Sequence, residues 1–356
     1  MSLKPYRLLI VGAGLTASVT SALIKQHLPR ESVEVHIWEK SRGIGGRMNT
    51  TRSPDGQASV DLGAQYITKS SQYAEKHKKF FDDLTQAGVL KPFPGKIEGA
   101  SIDNESENFM APNGINSVVK HFLNSSDAKI KLNTFCQEIN LCHNEASEAT
   151  SNNIWTATAK DGTTEHFHGM ILTIPVPQIL QLAGTFQDHL KNYHSSLEQV
   201  EYSSRYALAL YFPKDTQVNT PWTAKYVNDH PCIRFVSVDS VKRGTDPLTS
   251  SPSMLVHTSV PFGLAHLDSD IEEIEKIIYG HFLGLFPSLP RPTSTRCIRW
   301  RYSQVYKSFP GQPGAVVVSS EPLLVLAGDG FVHSNFSGCV ESANSVLGKL
   351  QEHLRI

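Results

Sequence analysis

Apolar positions in this chain come in short runs, and their spacing predicts a strand–helix–strand start. Arg7-Leu-Leu-Ile-Val11 has the length and composition of a strand buried in a parallel sheet. It runs straight into Gly12-Ala-Gly-Leu-Thr-Ala17 and a helical stretch from Thr16 to His27. Val33-Glu-Val-His-Ile-Trp38 predicts the next strand, which ends at Glu39. Helices are expected over Ser71–Ala87 and Gly114–Leu123, on either side of the Pro- and Gly-punctuated stretch Pro92–Gly99. Lys129–Leu141 and Ile154–Thr173 are strand-rich, with turns at Asn144–Asn153 and Asp161-Gly162. Pro175 and Pro177 cannot continue a ladder, so the chain leaves its sheet there.

Farther on, Tyr206–Phe212, Cys232–Val238 and Met254–Thr258 predict strands and Ile271–Leu285 a helix. Cys297-Ile-Arg-Trp-Arg301 re-enters the first domain, Leu323–Asp329 is an apolar strand ending in an acid, and Ser337–Leu350 is a terminal helix. The expected fold class is α/β. A Rossmann-type domain, with a parallel sheet and a β-meander, spans 1–70, 111–177 and 293–356. A second α+β domain of mixed or antiparallel sheet spans 71–110 and 178–292 and would hold the substrate.

Composition narrows the class. The 356 residues are 40% hydrophobic and 19% charged, an ordinary globular balance, and the chain is long enough for two joined domains. A formal net charge of −1 supplies no overall positive field to draw nucleic acid or an anionic membrane. Any cationic patch for an anionic ligand must be local. Cys136, Cys142, Cys232, Cys297 and Cys339 are odd in number and scattered, which suits neither a disulfide framework nor a zinc site and fits a reducing compartment. His166 and His168 form the one close histidine pair and have no further ligand at a matching offset, so no metal site is expected. Leu8–Val19, with Lys4 and Arg7 before it, has the outline of a signal peptide, but cleavage there would remove Gly12 and Gly14. No apolar run reaches the roughly 20 residues of a membrane span. A cytoplasmic protein with no transmembrane segment is the expectation, with secretion as the alternative.

The first loop carries chemistry. Gly12 permits the tight turn, Gly14 lets backbone approach a pyrophosphate, and Ala17 is small enough for close helix–strand packing. The free N–H groups and dipole at the helix N-terminus then favour the negative charge. Glu39 stands about 20 residues beyond Ala17, the spacing of an acid that grips a ribose hydroxyl. Lys40-Ser-Arg-Gly-Ile-Gly-Gly-Arg47 adds a second glycine loop, with Gly46 and the Arg47 fork able to reach the other side of the pyrophosphate. A nicotinamide dehydrogenase usually needs only the first loop, so the pair favours FAD.

The G-x-G-x-x-A start, Glu39, Gly45-Gly46-Arg47 and Gly328-Asp329-Gly330 resemble the FAD superfamily that includes the amine oxidases. Within it, Asp61-Leu-Gly-Ala-Gln-Tyr-Ile-Thr68, Phe109-Met-Ala-Pro-Asn-Gly-Ile115, Tyr202-Ser-Ser-Arg-Tyr-Ala-Leu208, Pro231-Cys-Ile-Arg-Phe-Val-Ser237 and Gly328-Asp-Gly-Phe331 with Ser334-Asn-Phe336 resemble the animal renalase family nearly end to end. The resemblance implies that Thr16, Arg47, Gln65 and Tyr66 contact FAD, and that the strand carrying Cys136 runs beside the adenine. It also implies that Asp329 binds the ribityl chain and that a helix N-terminus at Gly338 and Cys339 faces the flavin pyrimidine. The covalent flavin cysteine of monoamine oxidases lies upstream of the matching acid, unlike Cys339, so FAD is expected to be non-covalent.

For function, the resemblance implies oxidation of isomeric dihydro-NAD(P), reduced at the 2 or 6 position or in the α-anomeric form. Hydride passes to the flavin and the electrons to O₂, giving NAD(P)⁺ and hydrogen peroxide. A dihydropyridine is already a hydride donor, so no general base is required, and no Ser–His–Asp or paired-carboxylate pattern is found. Tyr202, Arg205, Arg234, Phe235, His257, Trp300 and Arg301 are the substrate candidates. Arginine forks suit an anionic dinucleotide, and aromatic faces suit a pyridine ring. An amine oxidase, and a secreted signalling protein with structural FAD, remain as alternatives.

Overall fold

A computed structural model describes residues 5–29, 31–100, 105–143, 153–245 and 250–356. The chain forms two compact units: Met1–Gly46, Val119–Glu201 and Val305–Ile356 make the first, and Arg47–Val118 with Tyr202–Gln304 the second. The chain thus enters the second unit at Arg47 and returns at Val119, where residues 71 and 111 were expected from the sequence.

The first unit is built on a six-stranded sheet. Strand β1 (Tyr6–Val11) lies parallel between β2 (Val33–Trp38) and Gly169–Leu172. Lys129–Lys131 follows beyond β2, while Leu323–Ala327 extends the other side in parallel and Ala315–Ser320 closes it antiparallel. Because β1 is flanked on both edges and covered on both faces, Leu8, Leu9 and Ile10 are wholly buried, as its unbroken apolar run requires. Helix α1 (Leu15–His27) packs against the terminal helix Phe336–Leu354. The expected meander is present as the antiparallel strands Cys136–His143, Asn153–Ala159 and Thr164–Phe167. Trp155 anchors it, fully buried, with Nε1 donating to the carbonyls of Pro322 and Leu323 at 3.2 and 3.0 Å.

The second unit carries another six-stranded sheet, in the order Ser294–Trp300, Arg205–Tyr211, Ser253–Thr258, Ile233–Val238, Ala224–Tyr226, Ile97–Glu98. All neighbours are antiparallel except the last pair. Alternation along Arg205–Tyr211 splits the core. Tyr206, Leu208 and Leu210 face the helix Ile271–Leu285, while Ala207, Ala209 and Tyr211 face Val60, Leu62 and Phe235. The α/β class, with a parallel Rossmann-type sheet in one unit and a mixed sheet in the other, agrees with the sequence reading.

Two local expectations differ. The helix over Ser71–Ala87 is broken into Ser71–Ala74 and Lys78–Gln86. The break buries His77 completely and stacks its ring 5.0 Å from Tyr73, a contact that helical periodicity does not encode. The turn expected at Asn144–Asn153 lies outside the described residues apart from Asn153, which opens a strand. Among the described residues no helix is long and apolar enough to cross a membrane, and no group of three or more His, Cys, Asp or Glu is placed to hold a metal ion.

The helix Ile271–Leu285 starts where the Asp270 carboxylate accepts from the N–H groups of Glu272 and Glu273 at 2.9 and 3.1 Å. Asp270→Ala leaves both donors uncapped and is expected to cost about 1 kcal/mol. Denaturant unfolding followed by far-UV circular dichroism measures this; an unchanged midpoint would show that the cap contributes nothing.

Candidate functional site

In the first unit the residues after β1 form a cradle for a dinucleotide. Gly12 takes φ +100°, and a Cβ there would press within 3.0 Å of Thr173 and Ile174. At Gly14 a Cβ would meet nothing within 4 Å, so open space lies before α1. No side chain caps that helix, which leaves its first N–H groups for a ligand. Gly46 lies alongside, its Cβ position 3.5 Å from the Gly14 Cα, and the Gly45 N–H ties the second loop to the Ala13 carbonyl at 2.9 Å. Thr16 and Ala17 are buried in the first turn.

Glu39, also buried, accepts the Ala13 N–H at 2.9 Å through Oε2 and the Ser41 N–H at 2.8 Å through Oε1. Each oxygen keeps lone-pair capacity for a ribose hydroxyl. An uncapped helix end, glycine-lined space and an anchored acid are the donor set that FAD's adenosine and pyrophosphate need. The cradle fits the group.

The other candidates of this unit sit at strand and helix ends. Cys136 pairs through its backbone with Ala159 beside a bulge, and burial pushes its thiol up to about 12, so it offers no thiolate. Asp329 is buried directly after Leu323–Ala327 and accepts a hydrogen bond from the Ser334 hydroxyl. The terminal helix is capped from within. Asn335 Oδ1 accepts the Gly338 N–H at 2.8 Å and the Asn335 carbonyl accepts the Cys339 N–H at 3.2 Å. Gly338 is required by close approach of the chain, since a Cβ there would stand 2.1 Å from the His333 carbonyl oxygen.

In the second unit, Arg47, Gln65 and Tyr66 occupy a turn-rich segment that a buried charge cluster holds in place. Lys242 Nζ lies 3.1 Å from Asp61 and 3.0 Å from Asp239, and Arg243 lies 2.8 Å from Asp61 and 3.3 Å from Asp239. All four side chains are essentially without solvent contact. Burial by itself would raise the Asp61 pKa. The Lys242 and Arg243 charges, with hydrogen bonds from the Ile115 N–H and Thr50 hydroxyl, outweigh it and hold the carboxyl below its ordinary value.

Gln65 is part of this cluster. Its Nε2 donates to the carbonyls of Asp61 and Gly63, and its Oε1 accepts from Ser237 and Lys242 at 3.1 Å each. With both N–H groups and both lone pairs engaged, the amide orients the segment and only the backbone and apolar surface of Gln65 remain for a cofactor. Arg47 donates to the Ser303 carbonyl at 3.4 Å and lies over the Tyr202 ring at 5.8 Å. Tyr66 hydrogen-bonds the Tyr226 hydroxyl at 2.7 Å.

The structure divides the substrate candidates. His257 Nε2 and Trp300 Nε1 both donate to the Leu62 carbonyl at 2.9 Å, so they brace the same segment. Burial takes His257 down to about 4, which leaves it neutral at physiological pH. Phe235 is buried against Tyr226 and His257, with ring centroids 5.0 and 6.0 Å away. Tyr202 meets Tyr302 edge-on at 5.6 Å. Arg205 and Arg234 are half-buried on the sheet, whereas Arg301 is exposed and paired with Asp268. The sequence reading missed Lys242, Arg243 and Asp239. Their one signal is the helical spacing of Asp239 with Lys242 and Arg243 straight after an apolar strand.

Comparison with known proteins sets these arrangements in a family. Residues 10–84 match an NAD(P)-binding Rossmann-like domain, and residues 99–346 match the flavin containing amine oxidoreductase family. Renalase of Mus musculus is 38% identical over 350 residues, covering 98% of this chain and 99% of that protein. A putative protoporphyrinogen oxidase from Exiguobacterium sp. 255-15 shares the fold with a TM-score of 0.73 at 14% identity, over 100% of both chains. A Pyrococcus furiosus protein does so with a TM-score of 0.59 at 14% identity, over 97% of both.

Replacing Lys242 by Met leaves two buried carboxylates with one cation. Breaking a buried pair in this way costs about 3–5 kcal/mol, which a lowered denaturation midpoint would report. The acid side gives a sharper readout. A depressed carboxyl stabilises the fold fully above its unfolded value of about 3.9 and loses that contribution as pH falls through its folded value. Without Lys242 the folded value of Asp61 rises, so the loss of stability in Lys242→Met should begin at a higher pH than in the parent. Superimposable acid limbs would rule out the role assigned to this lysine.

Proposed function

From a chain that belongs to the renalase family of flavin-containing amine oxidoreductases and takes FAD as its cofactor, we propose an oxidase of isomeric dihydro-NAD(P). The observation that carries this reading is similarity to mouse renalase across 98% of the chain. The net reaction takes dihydro-NAD(P), O₂ and a proton to NAD(P)⁺ and hydrogen peroxide. Bound FAD supplies the hydride acceptor and the route of the electrons to O₂.

The protein's own share is binding and positioning. The first N–H groups of α1, left uncapped beside Gly14, hold the cofactor pyrophosphate, and Glu39 takes the adenosine ribose. FAD is held without a covalent bond, since Cys339 lies downstream of Asp329, whereas the flavin cysteine of monoamine oxidases lies upstream of the matching acid. In this reading residues 1–70, 111–177 and 293–356 serve FAD binding, and 71–110 with 178–292 the substrate. His257, neutral and tied to the Leu62 carbonyl, supports the segment that leads to Tyr66 and is not needed as a base. A dihydropyridine donates hydride without prior deprotonation, so orientation against the flavin supplies much of the rate.

Anaerobic stopped-flow absorbance tests the reading directly. Isomeric dihydro-NAD should bleach the flavin rapidly, and admitted air should restore the colour with release of peroxide. Bleaching by amines alone would replace it with an amine oxidase, and no bleaching by either would favour a protein in which FAD is structural. A separate check concerns attachment: acid precipitation should leave the yellow colour in the supernatant. Flavin in the pellet would contradict non-covalent binding.

A further inference from the structure

One face of the second unit's sheet carries two arginines, Arg205 and Arg234, that no carboxylate among the described residues pairs with. Arg205 opens the strand Arg205–Tyr211 and shares the strand face of Ala207, Ala209 and Tyr211. Those side chains pack with Phe235, and Tyr66, Tyr226 and Trp300 border them. Arg234 sits on the Ile233–Val238 strand at a register shift, where Ile233 pairs with Thr258 and Phe235 with His257, so that Arg234 has no register partner on the Ser253–Thr258 side. Such a bulge re-aims a side chain. The Arg234 guanidinium lies over the Tyr226 ring at 5.4 Å and donates to Asn228 Oδ1 at 2.5 Å and to the Val227 carbonyl at 3.3 Å.

Among the described residues, Arg205 donates from Nη1 to the Thr258 carbonyl at 3.3 Å, and its buried Nε has no partner. Among the described residues no carboxylate lies within 4.0 Å of either arginine, while Arg7 and Arg243 each have two and Arg301 has one. Burial, then the nearby Arg234 charge, lowers the proton affinity of Arg205, so the two cations share one field. Two partly desolvated guanidiniums without a counterion are unfavourable until an anion arrives. Next to them the hydroxyls of Tyr66 and Tyr226 are 2.7 Å apart, and when one donates to the other the second proton is free for an acceptor.

We propose that Arg205 and Arg234, with the Tyr66–Tyr226 hydroxyl pair, form an anion subsite that holds a phosphate group of the substrate. The identity of the ligand as a dihydronicotinamide nucleotide rests on the oxidase reading; the anion subsite rests on the uncompensated arginine pair. All four side chains are half-buried, so a ligand can reach them. The same pair repels a cationic amine and selects nucleotide over nucleoside.

The test uses the FAD-loaded protein in two measurements. Calorimetric titration with inorganic pyrophosphate reads the subsite without turnover. The parent should bind it with a salt-sensitive affinity, and Arg205→Met and Arg234→Met should each weaken binding about 10-fold or more. Stopped-flow flavin reduction by isomeric dihydro-NAD and by the matching dihydronicotinamide riboside then reads its role. The variants should lose about 10-fold more apparent affinity for the dinucleotide than for the riboside. Arg205→Lys and Arg234→Lys, which keep the charge, should recover part of the difference and replace any Met variant that fails to retain FAD. Equal losses for both substrates, or no pyrophosphate binding by the parent, would overturn the subsite. If neither nicotinamide reduces the flavin while pyrophosphate binds as described, the oxidase reading falls and the subsite stands. If riboside and dinucleotide serve the parent equally well, the subsite falls and the oxidase reading stands.

Discussion

In-register parallel pairing of neighbouring strands places the cofactor end of the first unit. Val11 lies level with Trp38 on one side and Leu172 on the other, and Leu172 lies level with Leu326. Four strands therefore finish on one edge, and the residues that follow them, Gly12, Glu39, Thr173 and Gly328-Asp329, arrive together. Apart from the adjacent Gly328 and Asp329, none of these residues is near the others in sequence. Parallel strands cannot be joined by a tight turn, so each returns through a crossover, and α1 is the crossover that leaves its N-terminus open at that edge. The glycines then keep side chains out of the space that a pyrophosphate needs.

The second unit solves a different problem, that of holding the segment Asp61–Tyr66 in one conformation without a regular ladder. It does so with two carboxylates and two cations that are nearly solvent-free. Taking four charges out of water is expensive, and an apolar core of equal volume could be as stable. What the cluster adds is direction. The Asp61 N–H points at Asp239, both Gln65 amide groups are fixed, and the Leu62 carbonyl is gripped by His257 and Trp300. Gln65, His257 and Trp300, candidates for cofactor or substrate contact, are each bonded to a carbonyl of this segment.

The distribution of charge on the sheet face of this unit fits a reaction in which the protein need not move a proton. Its histidine is neutral and bonded to a carbonyl, Tyr226 and Phe235 meet edge to face, and among the described residues Arg205 and Arg234 have no carboxylate partner. An enzyme that acts on a ready hydride donor depends on holding that donor in place, and binding groups rather than acids and bases then carry the specificity.

Much of this was legible in the residues themselves. Strand, glycine loop, helix, strand and acid occur at fixed local spacing, and local spacing is what backbone sterics and helix dipoles act on. The same holds for the helix Ile271–Leu285, which the sequence predicts over the same residues. The His77 break, the Lys242 cluster and the separation of Arg205 and Arg234 from Arg301 were not legible. Asp61 and Lys242 are distant in sequence, and Arg301 is exposed and paired with Asp268 whereas Arg205 is half-buried. Whether a charged side chain is buried, braced or left without a partner depends on which strands pair, and that is a property of the folded sheet and not of any stretch of sequence.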